Sequence, residues 1–300
     1  VYSILRFSNF AHGDTMAFGT MVVILFTWWF QSMGISFGPL PTALLALPFG
    51  IAITALMLLG TDRLVYRFYR KQRAQSIILV IVSAGVMFVM NGIVRLIIGV
   101  QEQNFADGAR FVLTAADFKI WSGLAEGLAI KTTTAVTVVT AVLTVAALFW
   151  FLQKTRTGKS MRAFSDNEDL ALLSGINPDR VVQVTWIIAA ALAVIAGTLY
   201  GIDKSFRPFT YFQLLLPIFA AAIVGGLGSP IGAIAGAFVV AFSEVVVTYA
   251  WKKVLGYWMP DSMAPDTLVQ LLSTDYKFAV SFSILIIVLL FKPTGLFKGN

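Results

Sequence analysis

The sequence predicts an all-α fold: a polytopic transmembrane helical bundle with a broken N-terminal helix and a short helix in one cytoplasmic loop. Three observations predict it. The chain is 58% hydrophobic, with a mean hydropathy of +0.83, well above a soluble domain. Several uninterrupted apolar runs reach the roughly 20 residues that a helix needs to cross a bilayer. Between two of them, 132–152 and 181–201, lies a dense polar island at 154–180, in a chain that is only 12% charged.

Composition also excludes several chemistries. Cys is absent, so neither disulfides nor thiolate metal sites are available. A single His rules out His-rich metal chemistry. The net charge of +7 needs no nucleic acid, because membrane proteins concentrate Lys and Arg in cytoplasmic loops. The chain opens on Val1 without a basic leader, so no signal peptide is read and a numbering that omits a true N-terminus is expected.

In chain order, residues 1–10 are apolar apart from Arg6 and a few small polar groups, and are too short to span. Ala11-His12-Gly13-Asp14 interrupts them and 15–30 continues apolar. The pattern predicts helix, break, helix, with Gly13 at the break. An uncharged turn at 34–41 leads to a span at 42–60. Residues 62–73 set Arg63, Arg67, Arg70, Lys71 and Arg73 against the single acid Asp62, the strongest positive-inside signal in the chain. Residues 77–99 span back. The polar stretch 100–131, with Glu102, Asp107, Asp117 and Glu126, is roughly charge-balanced and is predicted outside. Residues 132–152 return to the island, and 181–201 leave it.

A short outer connection is expected at 202–213. Spans at 214–227 and 231–249 form a hairpin turning at Gly228-Ser229-Pro230. An outer amphipathic segment is expected at 251–277, and 278–291 returns to leave Lys292 and Lys298 inside. The alternation of sides closes with about eight crossings, in one domain over 1–300 with 154–180 as its cytoplasmic loop.

Local chemistry gives the island a shape. Ser165, with Glu168 three residues on, reads as a capping box. Asp166, Glu168 and Asp169 fall in the first turn, where the helix dipole favours acids. Leu170, Leu173 and Ile176 supply an apolar stripe, and Gly175 is placed to end the helix. Asn177-Pro178 then opens the next helix. The prediction is a short helix over about 166–174, with Lys154, Arg156, Lys159 and Arg162 as a basic shoulder before it. An ordinary solvated loop is the plainer reading; the two stacked caps favour a docking element.

Few residues carry candidate chemistry. Gly158-Lys159-Ser160 invites a phosphate-cradling loop, but that loop needs Gly five residues earlier, after a strand. Gln153 stands there, at the end of a membrane helix, so the island binds no nucleotide by that route. Asn9, His12 and Asp14 flank the helix break. Broken helices are tolerated in a membrane where they are buried in protein or line a cavity, so these residues read either as part of a translocation pathway or as a polar cap at the interface. Asn91 and Arg95 lie one turn apart towards the outer end of their span, where Arg95 can snorkel. Glu244 is the one carboxylate inside an apolar run, and intramembrane acids are functional candidates by default. Gly228, Gly232 and Gly236 repeat a small-xxx-small spacing, after Gly225 and Gly226. That spacing reads as close helix contact, and a backbone-lined route is compatible with it. No catalytic constellation and no metal-ligand cluster is expected.

Four stretches carry a resemblance. Ser8-Asn9-Phe10-Ala11-His12-Gly13-Asp14 is one. Gly158-Lys159, Met161-Arg162-Ala163, Asp169-Leu170 and Gly175-Ile176-Asn177 with Asp179-Arg180-Val181 form the second. The hairpin from Ile223 to Ala233 and the end Phe291-Lys292-Pro293-Thr294-Gly295-Leu296 complete the set. In order and together they resemble the LivH-type permeases of branched-chain amino-acid ABC importers.

The resemblance implies one of two related permease subunits, a heterodimer, in the bacterial inner membrane. Two cytoplasmic ATPase subunits and a periplasmic substrate-binding protein would complete the importer. ATP would bind those partners and this chain would hold no cofactor. The island would be the coupling helix, with Arg162, Ser165, Asp166, Glu168, Asp169, Leu170 and Gly175 facing an ATPase. Asn9, His12, Gly13, Asp14, Asn91 and Glu244 would lie along the pathway. The family also implies a further span upstream of residue 1. Pro217, where relatives often carry a polar or basic residue, and an apparent insertion at 251–267 depart from the pattern. They leave urea or short-chain amides as alternative solutes. An ion-coupled secondary transporter or channel is the reading from another class, and a membrane enzyme the third; the scarcity of His, Cys and clustered acids argues against the last.

Overall fold

A computed structural model of the chain describes residues 2–105, 111–123, 129–251, 270–292 and 295–296. Most of the segment expected to be amphipathic, 252–269, lies outside these residues, as do Pro293, Thr294 and Lys298. The chain forms two compact units, Val1–Phe212 and Gln213–Asn300.

The first unit opens with α1 (Tyr2–Leu5) and α2 (His12–Ser32). α3 (Ala43–Thr61) continues through a π-helical turn, Asp62–Tyr66, into α4 (Arg67–Lys71), and α5 (Ser76–Ile98) follows. Next, β1 (Phe111–Leu113) pairs antiparallel with β2 (Ile130–Lys131), with α6 (Ala115–Ser122) between them in the chain. Then come α7 (Thr132–Lys154), α8 (Arg156–Asp166), α9 (Glu168–Leu173), α10 (Pro178–Lys204) and α11 (Pro208–Gln213). The second unit holds α12 (Leu215–Gly225), α13 (Pro230–Thr248) and α14 (Lys277–Phe291).

Among the described residues, seven helices are long and apolar enough to cross a membrane: His12–Ser32, Ala43–Lys71, Ser76–Ile98, Thr132–Lys154, Pro178–Lys204, Pro208–Gly225 and Pro230–Thr248. The eighth expected crossing is α14, whose 15 residues rise about 22 Å, short of the roughly 30 Å hydrocarbon layer. Helices dominate because lipid offers no partner for a free backbone amide. The outer stretch 202–213 is not a plain connection, since α10 runs to Lys204 and α11 occupies most of the remainder.

The break near the N-terminus falls upstream of its expected position. Arg6 turns the chain at φ +56°, and α2 starts at His12, so Gly13 is buried in its first turn. Phe10 N–H donates to Ser83 Oγ at 3.1 Å. Ser83 is about 10 Å along α5 from its first residue, so α2 begins beside the body of an apolar helix of spanning length. α2, α3 and α10 pack closely at small residues. A Cβ on Gly19 would stand 2.4 Å from Val194 Cγ2, and one on Gly197 2.4 Å from Thr20 Oγ1. Thr15, Thr20 and Thr27 are buried in α2. Each returns its hydroxyl to the carbonyl four residues back, at 2.7–2.8 Å, which satisfies the donor inside the helix.

The ends of α2, α5 and α10 are tied across the chain. Gln103 and Phe206 exchange two backbone hydrogen bonds, at 2.9 and 2.8 Å. Trp28 Nε1 donates to Asn104 O at 3.1 Å and Gln31 Nε2 to Phe105 O at 2.9 Å. Glu102 accepts from Ser205 Oγ and from Arg207. These two bonds hold its carboxyl below the usual Glu range.

Candidate functional site

The island at 154–180 folds into two short helices, not one. α8 is capped by Thr155, whose Oγ1 accepts from Gly158 N at 3.0 Å. The basic shoulder is therefore itself helical, and Ser165 and Asp166 close α8 instead of opening the next helix. Asn167 is the cap of α9. Its backbone is extended (φ −150°, ψ 108°), and its Oδ1 accepts from Leu170 N at 3.0 Å. The cap expected at Ser165 falls instead on Asn167, because α8 runs on to Asp166.

The far end of α9 closes as a Schellman motif. Ile176 N–H reaches Ala171 O and Gly175 N–H reaches Leu172 O, both at 3.0 Å. Gly175 sits at φ +80°, which a residue with a Cβ adopts only under strain. Asn177 caps α10 through Arg180 N at 3.2 Å, with Pro178 in its first turn.

The two helices have distinct faces. Met161, Phe164 and Ala171 are buried. They share one core with Phe7, Tyr66, Leu79 and Trp186. Arg162, Asp166, Glu168, Asp169, Leu170 and Gly175 are exposed, and Ser165 is half-buried. Leu173 is 85% exposed. Of the predicted stripe Leu170, Leu173 and Ile176, the two leucines face outward and Ile176 packs against the core, where Ala171 supplies the buried contact. Two links tie this module to neighbouring segments: Arg6 Nη2 donates to Ser165 O at 2.7 Å, and Arg67 pairs with Asp179 at 2.9 Å.

A second group gathers at the helix break. Asn9 and Asp14 are buried. Asn9 Oδ1 accepts from Ala11 N at 3.1 Å and from the Tyr66 hydroxyl at 3.4 Å. Asn91 Nδ2 donates to Asp14 Oδ1 at 2.6 Å. Asp14 Oδ2 is buried and has no hydrogen-bond partner among the described residues. His12 is half-buried and Arg95 exposed. The structure therefore joins Asn9, Asp14 and Asn91 to α3 and α5. Glu244 belongs to the second unit, where it accepts from buried Ser281.

The hairpin of the second unit is a backbone contact. A Cβ on Gly225 would meet Gly232 O at 2.0 Å, one on Gly232 would meet Gly225 O at 2.2 Å, and one on Gly236 would meet Ala221 O at 2.2 Å. Gly226 and Gly228 are turn residues at φ +102° and +99°. Gly228 is thus no member of the helix contact, and Gly225 takes its place. Ser229 Oγ caps α13 through Gly232 N at 3.0 Å. Leu296 N–H donates to Val224 O at 2.8 Å, which brings the chain's end onto the hairpin.

Sequence reasoning missed the centre of the core beneath the island. Asp62 is buried. It accepts from Arg70 at 2.5 and 2.9 Å and from Trp186 Nε1 at 2.7 Å. The signal available was that Asp62 is the one acid in a basic loop; nothing local assigns it a Trp 124 residues away. Among the described residues, no group of three or more His, Cys, Asp or Glu side chains stands ready for a metal ion.

The family model described as "Branched-chain amino acid transport system / permease component" matches residues 1–289. The high-affinity branched-chain amino acid transport system permease protein LivH of Escherichia coli K12 is 31% identical over 99% of this chain and 87% of its own length. BraD of Pseudomonas aeruginosa, a permease protein of the same description, is 27% identical over the same shares. The probable LivH of Methanocaldococcus jannaschii is 28% identical over 75% of this chain and 65% of its own. No solved structure matches. With a family match over nearly its whole length and seven apolar spans to carry it, this chain belongs to the family of branched-chain amino-acid transport permeases.

Proposed function

We infer that the chain is a permease subunit of an ATP-driven importer in the bacterial inner membrane, carrying branched-chain or other aliphatic amino acids. The observation that carries the reading is the family match over residues 1–289. The exposed face of α8 and α9 supports it: charged Arg162, Asp166, Glu168 and Asp169 surround exposed Leu170 and Leu173. Such a mixed, protruding face suits docking to a separate protein. In this reading the partners are a second, homologous permease subunit, two cytoplasmic ATPase subunits that bind ATP, and a periplasmic substrate-binding protein. This chain holds no cofactor and does no chemistry of its own.

The pathway is assigned to the start of α2, where Asn9, His12, Asp14 and Asn91 place polar groups inside an apolar layer. Asp14 Oδ2 offers an unused acceptor to the ammonium group of a passing amino acid. Glu244 is the corresponding acid of the second unit.

Two variants test the coupling half of this reading. Arg162→Glu reverses a charge on the exposed face. Gly175→Pro removes the amide that donates to Leu172 O and cannot take φ +80°. In the complex reconstituted with its ATPases and binding protein, both should lower leucine uptake per ATP hydrolysed. Normal uptake and substrate-stimulated ATPase in both variants would refute the docking role. Uptake of urea in place of leucine would overturn the solute, and uptake by the lone chain driven by a proton or sodium gradient would overturn the class.

A further inference from the structure

We propose that Tyr66 and Trp186, held in place by Asp62 and Arg70, are the positioning residues that carry movement of α8 and α9 to the start of α2. The proposal rests on the coupling reading above and specifies the route by which it acts.

The route is visible as continuous contact. On one side, Met161, Phe164 and Ala171 of α8 and α9 are buried in the same core as Trp186 and Tyr66. Trp186 is 1% exposed. Its ring stacks on Tyr66 with centroids 5.3 Å apart and planes at 19°. Tyr66 in turn meets Phe7 at 5.4 Å, and its hydroxyl donates to Asn9 Oδ1 at 3.4 Å. Asn9 holds the amide of Ala11, immediately before α2, by the same oxygen. Three residues into that helix lies Asp14 with its bond to Asn91. A second link runs beside the first, from Ser165 O to Arg6, next to Phe7. Close-packed side chains of this kind have few alternative arrangements and pass displacement on.

The polar part of the cluster fixes its orientation. Asp62 receives three hydrogen bonds, two from Arg70 and one from Trp186 Nε1. A buried ion pair is a poor source of stability compared with well-packed apolar residues. What it does here is set the plane of the indole, and through stacking the ring of Tyr66. The backbone is shaped to the same end. Positions eight apart on an α-helix are rotated by about 80° from each other. The π-helical turn Asp62–Tyr66 holds more residues per turn, takes up part of that rotation, and brings Arg70 back over Asp62. Single π turns inside α-helices are frequent at functional sites.

The test measures leucine uptake and ATP hydrolysis together in vesicles holding the complete importer. Trp186→Phe keeps an aromatic ring but removes the Nε1 donor together with part of the buried indole; Asp62→Asn removes the charge; Tyr66→Phe removes only the hydroxyl that bonds Asn9. Uptake per ATP is expected to fall about tenfold for the first two, the scale of one hydrogen bond to a charged group. For Tyr66→Phe a fall of about threefold is expected, the scale of one neutral bond. An unchanged ratio in an assembled Trp186→Phe complex overturns the proposal. Should Asp62→Asn fail to assemble, Trp186→Phe and Tyr66→Phe decide together, because both leave the Asp62–Arg70 charge pair in place and Tyr66→Phe removes a single hydroxyl. Arg162→Glu run in parallel separates the two claims. If it uncouples and Trp186→Phe does not, the route is wrong and the docking face stands. If neither uncouples, the coupling reading itself has failed.

Discussion

Replacing Asn167 with Ala removes the cap of α9 and nothing else of size, since Asn167 is exposed. The lost interaction is the bond from Leu170 N to Asn167 Oδ1 at 3.0 Å. Loss of such a cap costs about 1 kcal/mol, which is about a fivefold change in an equilibrium constant. The cost falls on a helix of six residues, far below the length at which a helix holds itself together, so α9 opens locally before α10 or the core does. Amide exchange followed by mass spectrometry on the detergent-solubilised protein reads this directly. Leu170–Leu173 amides should exchange about five times faster in Asn167→Ala, with α10 unaltered. The control is Ser165→Ala. The described contact of Ser165 to Arg6 uses its backbone oxygen, so the substitution should leave α9 as it is. Equal acceleration by Ser165→Ala, or none by Asn167→Ala, would show that the assignment of the cap and the division into α8 and α9 are wrong.

Further outcomes follow from the same geometry. Gly232→Ala forces a Cβ to within 2.2 Å of Gly225 O; overpacking of this kind costs about 1–3 kcal/mol, seen as a lower melting temperature in detergent. Gly85→Ala, where a Cβ meets nothing within 4 Å, should leave it unaltered. Asn91→Leu strips Asp14 of its described donor, at about 1–3 kcal/mol for an unsatisfied buried group, and should reduce uptake more than assembly; full uptake would remove Asp14 and Asn91 from the pathway. Glu102 titrates below its ordinary value of 4.5 because Ser205 and Arg207 bond its charged form. Its contribution to this tie is therefore complete above that value and fades as pH falls through the lowered one. Arg207→Gln should move the Glu102 carboxyl back up, an effect visible in its NMR titration.

Much of the fold was legible because lipid imposes a simple code. Apolar runs of spanning length, with Lys and Arg gathered at alternate ends, identify most crossings, and the cap residues Asn177 and Pro178 mark the start of α10. The break near the N-terminus was legible as an interruption in that code. Its position was not, because Arg6 rather than a glycine makes the turn. The same limit applied to the island, where the Ser165/Glu168 spacing reads as a cap but α8, with Met161 and Phe164 in the core, runs on past Ser165 and leaves the cap to Asn167.

The sequence by itself determined the class, the number of apolar spans to within one, the polar island and the family resemblance. These depend on composition, periodicity and short-range capping. The tertiary structure alone decided which polar residues meet. Asp62 finds Trp186, Asp14 finds Asn91 and Glu244 finds Ser281, each pair far apart in the chain. Inside a membrane a polar side chain must find a partner or remain costly, but the chain order does not say which one. That choice is made by how the helices pack, and here it places one buried aromatic and polar cluster between the exposed helices of the island and the buried start of α2.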